Sequence, residues 1–484
     1  MLTKPSFKVM ISFLLVLALL LPSGITGQAL TKNLLPLDPV LDSKLVEELK
    51  GVGVAEVIVT FHGDDALTDS ELSILNDVGL TDVVTLESLP MAGVLATKSQ
   101  VEALAEQDDV LSIYLNEELE YFNADSTDLT RVDEVRTDDD MRKKNGGLPV
   151  SGSGVGVVIN DSGVDGTHDD HKLGNNLVQN VLGTTNLSNL SGIFPVTYIE
   201  DVANTDTNSG HGTHVAGTVG GTGAKSAGQY EGVAPGADMI GYGSGAALLI
   251  LDGIGGFDYA ITNQQRYDIR VITNSWGGSG DFDPFHPINI ASKKAHDRGI
   301  VVLFAAGNAG PEENTHNPYA KAPWVISVAA GNKDGTLANF SSRGTEGAGG
   351  SFEIDGEEWE WKDEPTLTAP GVDIISTRVI APLSALAVEN DAEYIEPGHL
   401  PYYTTMSGTS MATPHVAGVV ALMLEANPKL SPGEVKEILQ ATASPMEGKE
   451  SWEVGAGYVD AYEAVDQALS HEEGNGNGKG RGNK

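Results

Sequence analysis

The chain has 484 residues, 40% of them apolar, with 58 glycines and no cysteine. That length allows two or three domains with a substantial core, and the missing thiols exclude disulfides, cysteine catalysis and thiolate metal sites. A formal net charge of −39 excludes nucleic acid as a partner.

The acid is spread along the chain. It reads as a well-solvated surface or as adaptation to salty or alkaline surroundings that screen self-repulsion, and the second is favoured. Residues 1–29 read as an export signal: Lys4 and Lys8 precede the apolar run Met10–Leu21, which ends at Pro22-Ser23-Gly24. The run is short for a bilayer, and its flanks fit a cut between Gly24 and Ala29. The expectation is a secreted protein without membrane contact after signal removal.

Residues 30–123 carry apolar runs of strand length at Ala55–Phe61, Val83–Leu86, Met91–Ala96 and Val110–Leu115. Thr68 with Glu71, and Ser99 with Glu102, fit capping boxes of two helices between them. Strand–helix–strand–strand–helix–strand is the order of a small ferredoxin-like α+β domain. Residues 124–154, with Asp138-Asp139-Asp140 and Lys143-Lys144-Asn145-Gly146-Gly147, read as an exposed connector open to nicking.

From Val155 the pattern becomes buried strands alternating with helices. Val155–Asn160, Val271–Asn274, Ile300–Ala306 and Trp324–Ala329 are continuous apolar runs, and 252–263 and 288–297 read as helices. This predicts an α/β fold, doubly wound around a mostly parallel sheet, over 155–470. Residues 346–365 and 383–401 read as surface insertions, and 471–484 as a disordered Gly/Asn-rich tail.

Four segments carry candidate chemistry. Ser410 lies in Gly408-Thr409-Ser410-Met411-Ala412-Thr413-Pro414-His415, where a turn meets an apolar helix; Pro414 is expected in the helix's first turn. A hydroxyl there sits beside unpaired N–H groups that suit an oxyanion, although such a serine is more often a plain N-cap. Asp161 ends the first core strand, where ligands bind in open α/β sheets, but is also an ordinary turn residue. His211, in Gly210-His211-Gly212-Thr213-His214, is by itself more often structural. Asn308 closes Ala305-Ala306-Gly307-Asn308 and is a turn residue or an oxyanion donor. Together they supply a hydroxyl, a base, an orienting carboxylate and an oxyanion donor in the chain order Asp, His, Ser.

These segments resemble those of subtilisin-family serine proteases (subtilases) over about Val155–Leu469. The resemblance implies Ser410 as nucleophile, His211 as general base and then acid, Asp161 as its orienter, and Asn308 with the Ser410 N–H as oxyanion hole. His214 and His415 would be structural. Ser275-Trp276-Gly277-Gly278 resembles the strand lining the family's primary pocket, and Gly243-Ser244-Gly245 the facing strand, so an extended substrate would be held by backbone pairing with broad specificity. Trp276 is bulkier than the family's common leucine, and an apolar or aromatic residue is expected before the cut.

Residues 30–123 would be the family's folding and inhibitory propeptide, with Glu117-Glu118 capping helices of the catalytic domain and self-cleavage between Tyr121 and Ser126. No cofactor is implied for catalysis. A structural calcium is allowed with Asp170 at a ligand position, although the loop Gly220–Glu231 departs from the usual calcium loop. The partners expected are polypeptide substrates and the chain's own propeptide, on a monomer. A peptide ligase or cyclase using the same triad, and a surface protein with an inactive protease fold, are the alternatives.

Overall fold

The computed structural model describes residues 39–51, 53–116, 120–121, 128–185, 192–207, 209–244, 248–379 and 388–471. The expectations for the signal, for Glu117, Glu118 and Gly245, and for the tail beyond His471 fall outside them.

The N-terminal part contains β1 (Val40–Leu41), α1 (Ser43–Gly51), β2 (Ala55–Phe61), α2 (Asp69–Asp77), β3 (Val83–Thr85), β4 (Met91–Ala96), α3 (Lys98–Leu104) and β5 (Val110–Leu115). The expected order is present, with β1 and α1 added in front. Alternation along the strands gives the sheet two buried faces. Val57, Val59, Phe61, Ala92 and Val94 pack under the helices with Leu75 and Leu104. Ile58, Val84 and Met91 face the other way, into a core shared with Leu251, Ile254 and Phe257 of the larger part. Helix α2 starts at the expected Thr68–Glu71 box, but α3 is capped by Thr97 and Gln100, not by Ser99 and Glu102. Strand β4 ends at Ala96, so the helix begins at once and leaves Ser99 inside it.

After β6 (Glu120–Tyr121), residues 128–150 are not an exposed connector. They form α4 (Val132–Thr137) and α5 (Asp139–Lys144), and Val132, Val135, Met141 and Val150 are buried in the main core.

The larger part continues with β7 (Gly156–Asn160), β8 (Leu177–Thr184), β9 (Ile193–Pro195), β10 (Thr197–Ile199), α6 (His211–Gly220), β11 (Asp238–Gly243), α7 (Ile250–Thr262), β12 (Ile269–Asn274), β13 (Trp276–Gly277), α8 (Pro287–Asp297), β14 (Val301–Ala305) and β15 (Val325–Gly331). It closes with β16 (Gly349–Ile354), β17 (Glu357–Lys362), β18 (Leu367–Pro370), β19 (Ile374–Thr377), α9 (Val388–Tyr394), β20 (Tyr403–Met406), α10 (Thr409–Ala426), α11 (Pro432–Thr442), α12 (Ser451–Val454) and α13 (Ala461–Ser470). Among the described residues the main sheet runs β10-β8-β11-β7-β12-β14-β15-β18. It is parallel apart from β10, which pairs antiparallel with β8. Helices α6, α10 and α13 pack on one face and α7 and α8 on the other, which is the doubly wound α/β arrangement.

The two insertions are partly interior. Strands β16 and β17 form a hairpin whose Phe352 and Trp359 pack edge-on against Trp324, with ring centroids 6.0 and 5.4 Å away. Asp391 of α9 is buried and receives the Thr404 and Thr405 hydroxyls.

Candidate active site

The ends of β7, β12 and β14 and the starts of α6 and α10 carry the candidate residues. Asp161 follows β7, and His211 opens α6. Their side chains meet at 2.6 Å between Oδ1 and Nδ1, both buried. Gly212 allows this approach, because a Cβ there would lie 2.2 Å from the Gly163 carbonyl oxygen. Asp161 Oδ1 also accepts the Ser162 N–H.

A second buried carboxylate braces the same helix start. Asp206 accepts from Gly210 N–H at 2.9 Å, from the Thr213 hydroxyl at 2.7 Å and from the Ser162 hydroxyl at 3.2 Å. The Ser162 oxygen in turn accepts the Gly212 N–H. Burial raises the Asp206 pKa, and the hydrogen bonds from Thr213 and Gly210 oppose the rise. Sequence reasoning missed Asp206, since it sits in a polar run with no pattern of its own; its only signal was a carboxylate shortly before His211.

Ser410 is the second residue of α10 and fully buried. Its hydroxyl donates to the Ser275 carbonyl at 2.7 Å, and the Ser275 hydroxyl donates to the Ser410 carbonyl at 2.6 Å. Pro414 explains the second bond. It lies inside α10 rather than in its first turn, and with no N–H to give, it leaves the carbonyl four residues back open to the Ser275 side chain.

Asn308 is oriented by Thr409. Its Oδ1 accepts the Thr409 N–H and hydroxyl, both at 3.0 Å, which leaves the amide N–H₂ to point elsewhere. The Thr409 hydroxyl oxygen also accepts the Gly307 N–H at 3.1 Å. Thr409 therefore ties the end of β14 to the start of α10. It stood inside the serine motif, where a threonine next to a candidate nucleophile gave no separate signal.

His214 and His415 are buried, and desolvation pushes both pKa values down to about 3. His214 Nε2 faces the Ile374 and Thr404 carbonyls at 3.2 Å, and His415 Nε2 meets the Thr130 hydroxyl at 2.8 Å.

Strand β13 pairs antiparallel with β6, Trp276 opposite Tyr121 and Gly277 opposite Glu120. The Trp276 side chain turns inward, away from the substrate strand. It is fully buried, donates to the Asn160 carbonyl at 2.7 Å and packs edge-on against Phe304 at 4.9 Å, so only its backbone serves the strand. Gly277 and Gly278 continue that strand beside Asn317 and Tyr319. On the facing side Gly243 ends β11, and the Ser244 hydroxyl bonds to Asp252 of α7.

Residues at the anticipated calcium position do not fit a cation. Asp170 accepts the Tyr403 hydroxyl on Oδ2 at 2.7 Å and the Lys225 N–H on Oδ1 at 3.1 Å, while the Lys225 ammonium pairs with Asp169 at 2.5 Å. Both Asp170 oxygens thus hold hydrogen-bond donors where calcium would need them as ligands. Among the described residues no group of three or more His, Asp or Glu is placed to hold a metal ion.

The model of the subtilase family matches residues 152–476. Serine protease AprX of Bacillus subtilis (strain 168) is 33% identical over 381 residues, 75% of this chain and 76% of that protein. Subtilisin DY of Bacillus licheniformis is 32% identical over 65% of this chain and 92% of its own length. Fervidolysin of Fervidobacterium pennivorans is 33% identical over 64% of this chain, which spans only 40% of that relative. The crystal structure of fervidolysin, described as a keratinolytic enzyme related to subtilisin, superposes with a TM-score of 0.59 over 85% of this chain and 61% of that one, at 24% identity, and so supports the fold alone. A family match across two thirds of the chain, on a doubly wound sheet that carries these residues at its strand ends and at the helix starts beside them, leaves one assignment: the chain belongs to the subtilases and is a subtilisin-like serine endopeptidase.

Proposed function

We propose that the chain is a secreted endopeptidase, made as a self-processing precursor, in which Ser410, His211, Asp161 and Asn308 carry the reaction. The buried 2.6 Å hydrogen bond between Asp161 and His211 is the observation that carries this reading. It fixes the proton on Nδ1, so that Nε2 is the basic nitrogen.

When a peptide carbonyl arrives, the Ser410 hydroxyl leaves the Ser275 carbonyl and gives its proton to His211 Nε2 as its oxygen bonds the carbonyl carbon. The resulting oxyanion is met by the Asn308 amide and the Ser410 N–H at the start of α10, donors that need no rearrangement. His211 then protonates the leaving amine, and water, deprotonated by the same nitrogen, hydrolyses the acyl-enzyme. Extended substrate would pair with β13 as β6 does, through backbone groups that read side chains weakly.

Residues 30–123 act as the inhibitory propeptide. The antiparallel pairing of Glu120–Tyr121 with Trp276–Gly277 supports this reading, since it puts the segment before the expected cut on the substrate strand. The Asn116 side chain accepts the Leu251 N–H at 2.6 Å, the helix-capping role expected of Glu117-Glu118. The mature protease would be a monomer needing no cofactor for catalysis.

The test is to express the precursor with and without Ser410→Ala. The wild type should be cut between 121 and 126 and take up a fluorophosphonate on Ser410; the variant should stay joined there. A variant trimmed at that point in pure form, or wild type that resists the label, would refute the assignment.

A further inference from the structure

Strand β9 belongs to the catalytic part by sequence but not by pairing. Its neighbours in the chain, β8 and β10, lie in the main sheet. Between them Ile193–Pro195 runs parallel to β3 of the propeptide, with Ile193 opposite Val83 and Pro195 opposite Thr85. The pairing extends past both ends. Val83 N–H donates to the Gly192 carbonyl at 2.8 Å, Val196 N–H to the Thr85 carbonyl at 2.9 Å, and Gly192 N–H to the Asp82 carboxylate.

The turn after β3 is gripped from the same side. Asp258 of α7, fully buried, accepts the Glu87 and Ser88 N–H groups at 3.1 and 2.8 Å, the Ser88 hydroxyl at 2.6 Å and the Tyr198 hydroxyl of β10 at 2.5 Å.

Among the described residues, β9 pairs with no strand of the catalytic part. Ile193 and Phe194 are 46% and 47% exposed even with β3 in place, so packing contributes little to holding the strand extended. We propose that residues 192–198, with Asp258, form a latch for one partner, the propeptide edge Asp82–Ser88, separate from the substrate strand. The proposal rests on reading 30–123 as the inhibitory propeptide.

Two separate attachments in one chain act as a bivalent ligand. A cut between 121 and 126 loosens the β6–β13 end but leaves every latch contact intact, so the severed propeptide stays bound. Its departure, and with it the appearance of activity, is then timed by the latch.

The experiment follows activation of the full-length precursor on a short chromogenic peptide, with the propeptide cut monitored on gels. Asp82→Ala alters only the part that is removed, so the mature enzyme is unchanged. Phe194→Pro removes an N–H from an exposed position of the ladder. Each should shorten the interval between cut and full activity by about 3- to 10-fold, the effect of losing one hydrogen bond of ordinary net strength, with the plateau kcat/KM equal to wild type. In Ser410→Ala precursor the Val196 amide should exchange slowly with deuterium, and in the mature enzyme quickly. Wild type that shows a lag while both variants keep the same lag would overturn the latch alone, as would a Val196 amide that exchanges rapidly in the precursor. Wild type that is fully active before the cut would overturn the propeptide reading and the latch together.

Discussion

Thr409→Val keeps the shape of the side chain and removes one oxygen that serves two partners. Without it the buried Gly307 N–H, now 3.1 Å from that oxygen, is stranded, and stability should fall by about 1–3 kcal/mol. Asn308 Oδ1 loses the hydroxyl but keeps the Thr409 N–H at 3.0 Å, so the amide is loosened rather than released. Removing an oxyanion-hole asparagine costs about 10²–10³ in turnover, or ~2.7–4 kcal/mol, in subtilisin. Losing one of two anchors should forfeit roughly half of that, a fall in kcat of about 10- to 30-fold. KM should hardly move, because the donor acts on the oxyanion and not on the bound carbonyl. The assay is steady-state kinetics on a peptide amide for Thr409→Val, Asn308→Ala and the double variant, with urea unfolding in parallel. On the Asn308→Ala background Thr409→Val should cost less than about threefold. The same 10- to 30-fold loss in that background would show that Thr409 does not act through Asn308.

Asp252 gives a pH signature. Burial raises its pKa from 3.8 to about 7, so the folded state holds the proton more tightly. The resulting stabilisation is complete below pH 4 and is lost as pH rises through about 7, by an upper limit of about 4 kcal/mol at ~1.36 kcal/mol per decade; Asp252→Asn should flatten that slope in unfolding measured from pH 4 to 8. Asp206→Ala leaves four donors without an acceptor, the Gly210 and Thr213 N–H groups and the Ser162 and Thr213 hydroxyls, and should lower both stability and kcat, by about 3 kcal/mol or more in the first; urea unfolding that is unchanged would contradict the bracing role. Chelation by EDTA should leave the melting temperature unchanged so far as the Asp170 loop controls it, whereas Tyr403→Phe should cost about 1–3 kcal/mol by leaving Asp170 Oδ2 short of a donor.

The parallel core could be read from the sequence because its strands are continuous apolar runs; β2, β4 and β5 fall where the runs begin and end. Strand β8 escaped because its buried Gln179 and Asn180 look like loop residues. Their amides are satisfied by Asp201, Tyr267 and the Val164 and Val202 carbonyls, partners that no local pattern reveals. Helices α4 and α5 escaped for a similar reason. Their charge is dense, yet Arg136 is anchored on Glu231 and on the Gly232 and Val233 carbonyls, which pulls four scattered apolar residues inward. Asp161, His211, Asn308 and Ser410 stood out because each sits at the end of a recognisable element. Thr409, Asp206 and the inward turn of Trp276 depend on what lies across space. Strand β9 is too short, and too interrupted by Pro195, to announce itself.

The burial of Val132, Val135, Met141 and Val150 bears on how far a protease could trim the proposed mature N-terminus. If the precursor is cut near residue 124, as proposed, the cut falls ahead of Asp128, and from Thr130 onward the chain is fastened, first by His415 and then by the core. Trimming of that terminus would stop where it meets backbone held in this way, which a protease cannot draw into an extended strand. A domain started at Val155, where the apolar pattern begins, would open the base of α10 to water; one started at Ala124 would bring its own stopper.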